Sequence, residues 1–98
     1  MNIGIRMHDM TPGTLEERAA IACTQGFSCV HLALSKTIDP AYMDPAVATP
    51  GLASYVRKAM QGLDVAVLGC YLNLAHPDEK TYQEIARKYV AHLQLCRW

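Results

Sequence analysis

Arg6 and His8, His31, and Asn73 and His76 each fall where a short apolar run gives way to a break in the chain. These residue types suit one kind of ligand. Arginine offers a planar fork of donors to a phosphate or a carboxylate. Histidine binds a divalent metal through a neutral ring nitrogen, or moves a proton near neutral pH. The asparagine amide donates to and accepts from sugar hydroxyls. Together they fit a phosphorylated or polyhydroxylated small molecule. Acidic groups are scarce beside them: only Asp9 and Asp78 are close in sequence, and Asp78 stands where a helix needs its cap. Cys29 and His31 have the spacing of two ligands on one strand face, but two more ligands would be needed to hold zinc.

Each of these residues has a competing structural role. Arg6 can pair with a carboxylate within a sheet. His8, next to Asp9, can be a solvated loop residue, and His31 a satisfied interior histidine. His76-Pro77-Asp78 also makes a helix entry, with proline restricting the residue before it and aspartate capping the helix. His92 falls on the polar side of the last helical stretch and reads as solvated. Tyr55, Tyr82 and Tyr89 stand at core spacing and read as packing.

The elements that must position these residues repeat three times, in units of about 1–27, 28–63 and 64–98. Ile3, Ile5 and Met7 alternate with Gly4, Arg6 and His8, which is a strand pattern. Thr14 with Glu17 three residues later forms a capping box for a helix that ends at Gly26. The second strand is read over 29–34, with Val30, Leu32 and Leu34 on one face. A long connection comes next, with a helical turn expected near Asp44 to Val47. Thr49 and Pro50 then start a helix with Leu52, Tyr55, Val56, Ala59, Met60 and Leu63 on its buried side. The third strand is read over 65–72. It is almost continuously apolar, which predicts cover on both faces. Asp78 caps a final helix whose buried face is expected at Tyr82, Ile85, Ala86, Tyr89, Val90, Leu93 and Cys96.

Strand and helix alternating in this way predict an α/β fold with parallel strands. The first strand-to-helix turn, His8 to Gly13, is not a G-x-G-x-x-G phosphate cradle, which disfavours a dinucleotide fold. The 98 residues are 51% hydrophobic and 18% charged, enough apolar content for a packed core. Nine basic residues balance nine acidic ones, so a nucleic-acid partner is not expected. No apolar run approaches the ~20 residues of a membrane span, and the N-terminus lacks a signal-peptide core, so a cytoplasmic protein is expected. The four cysteines form no C-x-x-C pair and read as buried free thiols.

The passage from Leu63 to Asp78, with its Gly69-Cys70-Tyr71-Leu72-Asn73-Leu74-Ala75-His76-Pro77-Asp78 core, resembles the third strand and loop of the sugar phosphate isomerase/epimerase family. Ile3-Gly4-Ile5, and Gly26-Phe27 before Cys29-Val30-His31-Leu32, are similar to its first two strands. The resemblance implies three consecutive βα units of a (β/α)₈ TIM barrel of the xylose-isomerase-like type, an incomplete barrel forming the N-terminal portion of such a protein. It implies metal-assisted proton transfer on a sugar or sugar phosphate, with Mn, Mg or Zn as the divalent metal and His76 as a metal ligand. The rim would bind substrate through Arg6, His8, His31, Asn73 and His76. The family often has glutamate where His31 stands, and its metal carboxylates mostly come from later strands, so these residues alone do not make the catalytic set. With open strand edges, a homo-oligomer or a complementing barrel piece is expected as partner. Ala33, Leu68 and Cys70 are expected to face water. Three other readings stand beside this one: a non-catalytic oligomerising half-barrel module binding a small anion or sugar, an apurinic-endonuclease-like enzyme, disfavoured by the neutral charge, and a small flavodoxin-like sheet.

Overall fold

Three parallel strands carry the molecule: β1 (Gly4–Arg6), β2 (Cys29–Leu32) and β3 (Asp64–Leu68), in the order β1-β2-β3. The computed structural model describes residues 2–98. The sheet is not closed. Four helices accompany it: α1 (Leu15–Thr24), the single turn α2 (Leu34–Thr37), α3 (Pro50–Ala59) and α4 (Glu79–Arg97). Gly4, Ile5 and Arg6 pair with Cys29, Val30 and His31. On the other side His31 pairs with Val67 and Leu32 with Leu68, after a bulge that leaves Ala66 as an extra residue.

The helix ends form where short-range chemistry requires. The Thr14 hydroxyl accepts from Glu17 N–H at 3.1 Å, and the Glu17 carboxylate accepts from Thr14 N–H, closing the capping box. At the other end of α1, Phe27 N–H donates to Ala22 O and Gly26 N–H to Cys23 O. That pair of bonds puts Gly26 in the left-handed region, at φ +85°. Thr49 caps α3 with Pro50 behind it, and Asp78 caps α4 through Thr81. The turn expected near Asp44 is a 3₁₀ turn over Pro45–Val47, capped by Asp44; a second spans Pro40–Met43.

The core lies on one face of the sheet. Val30 and Leu32 of β2 meet Leu15, Ala19 and Ala22 of α1, Ala53 and Ala59 of α3, and Leu95 of α4 in one buried cluster. Met7, Leu34 and Met60 are fully buried within it. Burying a side chain of that size contributes about 1.5–3 kcal/mol.

Several sequence expectations are corrected here. β1 stops at Arg6, because Met7–Asp9 turn into a 3₁₀ helix that carries Met7 into the core. β2 stops at Leu32, and the next residues wind into α2. β3 stops at Leu68 and is largely exposed, since it is an edge strand with nothing packed beyond it. Ala33, expected to face water, is fully buried, whereas Val65 and Val67 are exposed. On α4 the buried residues are Ile85, Ala91, His92 and Leu95; Tyr82, Val90 and Leu93 of the expected face are exposed. The helix is rotated so that His92 Nδ1–H donates to Lys88 O at 2.8 Å inside the fold. Tyr55 and Tyr82 are exposed, so they are not core residues. The cysteines are free, but Cys23 and Cys96 are exposed and only Cys29 and Cys70 are half-buried.

Candidate functional site at the carboxyl end of the sheet

The carboxyl ends of parallel strands are where open α/β sheets and barrels place their ligands. At that end of this sheet, His8, His31 and Tyr71 meet. The His8 and His31 rings lie edge to face with centroids 5.7 Å apart. Tyr71 stands edge to face with His8 at 5.6 Å and parallel to His31 at 5.9 Å. The Tyr71 hydroxyl shares a 3.3 Å hydrogen bond with His31 Nε2. Lys36 Nζ sits 4.0 Å from the centre of the Tyr71 ring, a cation–π contact.

Each member is held by a different element. His8 rides on the 3₁₀ turn, which Met7 anchors in the core. Arg18 of α1 reaches across, itself buried, to donate to the Met7 carbonyl at 3.0 Å. A charge-assisted bond of that kind is about twice as strong as a neutral one. His31 is the third residue of β2 and stands beside Arg6 in register. Lys36 comes from α2, whose first turn is closed by the Lys36 and Thr37 N–H groups on Ala33 O. Tyr71 comes two residues after Gly69, whose N–H extends the strand ladder to Leu32 O at 2.8 Å. A side chain at Gly69 would collide with His31 Nε2 and lie 3.2 Å from the Tyr71 ring. The stacked pair therefore depends on glycine at that position.

The electrostatics are cationic with one acid. Arg6 and Asp9 form an exposed ion pair at 2.8 Å, and Asp9 lies 3.9 Å from His8 Nε2. The His8 side chain is only 11% exposed, and its Nδ1 is buried without a partner. Burial pushes its pKa below the usual 6.5; Asp9 opposes this, while Lys36, His31 and Arg6 add to it. Burial therefore favours the neutral form of His8. A neutral imidazole in contact with a second imidazole and a phenol can accept or relay a proton.

Arg6 at the end of β1, His8 just past it and His31 within β2 thus gather at one rim. Asn73 and His76 make local turns. The Asn73 side-chain oxygen accepts from Ala75 N–H at 3.0 Å, and His76 Nδ1 accepts from Asp78 N–H at 3.1 Å. With that nitrogen accepting, a neutral His76 carries its proton on Nε2, so neither nitrogen presents a lone pair outward. The loop is tied down by Tyr89 of α4, whose hydroxyl lies 2.8 Å from both Cys70 O and Leu72 O and shares its proton between them. Sequence reading missed Lys36 and Tyr71 as site residues. The available signal was Gly69, a strand-ending glycine two residues before an aromatic.

No family model, curated protein or solved structure matches this chain. Among the described residues, no three His, Cys, Asp or Glu side chains form a group able to hold a metal ion. Among the described residues, no helix is long and apolar enough to cross a membrane.

Proposed function

We propose that the three strand–helix units form part of a (β/α)₈ barrel like that of the sugar phosphate isomerases and epimerases, and that its rim binds a sugar phosphate. The observation that carries the reading is the convergence of His8, His31, Tyr71 and Lys36 at the carboxyl end of a parallel sheet. Lys36 and Arg6 supply positive charge for a phosphate. Neutral His8 and the Tyr71–His31 pair supply hydrogen bonds and a proton acceptor for the hydroxyls beside a sugar carbonyl. The described donor set does not by itself fit a divalent metal, because only Asp9 accompanies the two imidazoles. In this reading a metal of the isomerase type takes carboxylates from further strands, and the role assigned to the rim residues is binding and proton transfer. A second reading, a non-catalytic oligomerising half-barrel that binds a small anion or sugar, is favoured by the uncovered apolar residues Val67 and Leu93.

The test is a proton NMR titration of the histidine ring signals with ribulose 5-phosphate, ribulose and inorganic phosphate. The sugar phosphate should move the His8 and His31 signals at millimolar concentration, and the unphosphorylated sugar should do so far less. Gly69→Ala, which displaces His31, and Lys36→Met should each weaken the response. Ring signals indifferent to all three compounds would overturn the proposal. Binding without any turnover of the sugar phosphate would favour the second reading.

A further inference from the structure

Val30 and Leu32 alternate with Cys29 and His31 along β2, so the sheet has a second face turned away from the rim cluster. On that face, between α3 and the end of α4, lies a cavity of about 520 Å³. That volume is within the ~300–1,000 Å³ of small-molecule sites. Its walls include Leu32, Leu34, Val56, Leu68, Leu95 and Trp98. Two small residues help leave the space open: Ala53 of α3 and Ala66, the extra residue of the β3 bulge. The only charged residues in the lining are Arg57 and Arg97. Both lie in the last turn of their helices and are exposed. The ion pairs formed among the described residues belong to Asp9, with Arg6 and His8, so neither cavity arginine is neutralised by one.

An apolar chamber whose charged side chains are both positive has a defined complement. A neutral oil would leave both guanidinium groups unused. A fully polar anion would leave the leucine walls wet. A molecule with an apolar body and one carboxylate satisfies both, because arginine pairs a carboxylate through two parallel bonds. We infer that the cavity between α3, the sheet and the end of α4 binds an apolar carboxylate of medium chain length, its tail against Leu32, Leu68 and Trp98 and its head at Arg57 and Arg97. This site lies across the sheet from the rim and does not depend on the sugar phosphate reading.

Trp98 is the only tryptophan of the chain and lines the cavity, so its fluorescence reports occupancy directly. The full chain is titrated with decanoate below its micelle concentration, and with decanol as the neutral counterpart. Decanoate should give a saturable change at one molecule per chain, binding about three- to tenfold more tightly than decanol, as partly exposed charge-assisted bonds allow. Arg57→Gln with Arg97→Gln should erase that preference and leave decanol binding unchanged. Ala53→Leu, which fills the chamber, should weaken both ligands. If Ala53→Leu does not fold, the arginine pair still decides, since both side chains are exposed. Equal affinity for the acid and the alcohol, or no saturable change with either, overturns the proposal. So does a Trp98 signal that follows protein concentration together with a doubled solution mass, which would make the cavity an interface between two copies.

Discussion

β2 and β3 are hydrogen-bonded neighbours, and each carries aliphatic residues, yet they live in different surroundings. Val30 and Leu32 of β2 are 1% and 0% exposed, whereas Val65 and Val67 of β3 are 39% and 50% exposed. The difference is not composition. β2 has a strand on each side and turns Val30 and Leu32 to the helix-covered face, while β3 has a partner on one side only and its Val67, in register with His31, lies on the uncovered face. A run of β-branched residues states what a strand tolerates; its place in the sheet decides what it buries. The chemistry shows the same division. His8 and His31, on the β1–β2 side, are fixed by the buried Met7, the Arg18 bond and the strand register. Asn73 and His76, beyond β3, find partners only two residues away.

The sharpest way to break this comparison is to shorten one residue in each strand. Leu32→Ala should destabilise the protein by about 2–5 kcal/mol, the range for a buried leucine reduced to alanine. Val67→Ala should cost no more than about 0.5 kcal/mol, as substitutions at open surface do. Urea unfolding of the two variants and the parent supplies the measurement. Equal losses would mean that β3 is covered in solution by something that also buries Val67.

What the sequence made legible divides along related lines. The caps at Thr14, Thr49 and Asp78 and the turn at Gly26 were readable, because each is decided by groups within about four residues. The strand ends were not. Met7 keeps its apolar alternation on paper, but the pull of the core turns the backbone into a 3₁₀ helix there. The rotation of α4 was equally hidden: Tyr82, Val90 and Leu93 are as apolar as the residues actually buried, and only tertiary packing selects between the two faces. At the site, Arg6 and His31 could be found from strand alternation, whereas His8 lies on the 3₁₀ turn past β1 and was flagged only by its nearness to the strand end. Lys36 could not, because α2 is a single turn inside what reads as a loop. Tyr71 was concealed by an apolar run that looked like uninterrupted strand.

Exposed apolar residues on β3 and on α4 lead to the next effect in size. Val67 and Leu93 are 50% and 68% exposed, and the outer edge of β3 is unpaired. Such surface promotes association. Light scattering of the parent chain should therefore give a mass above that of one chain. Val67→Lys combined with Leu93→Lys should lower it, at little cost to folding. A parent that is monomeric at every concentration removes the case for a partner at either residue and leaves the contrast with β2 to strand position and facing alone.

The smallest effect belongs to His8. Its pKa is held below the usual 6.5 chiefly by burial, with Asp9 opposing. A histidine with a lowered folded pKa takes up its proton more readily in the unfolded chain. Its neutral form therefore contributes stability that is complete above about pH 6.5 and is lost as the pH falls through the lower folded value. His8→Gln, which cannot titrate, should flatten this part of the stability profile. Thermal unfolding of the parent and the variant between pH 5 and pH 8 makes the comparison. A slope that survives His8→Gln would assign the pH dependence elsewhere and weaken the distinction between an anchored β1–β2 rim and a locally folded β3 loop.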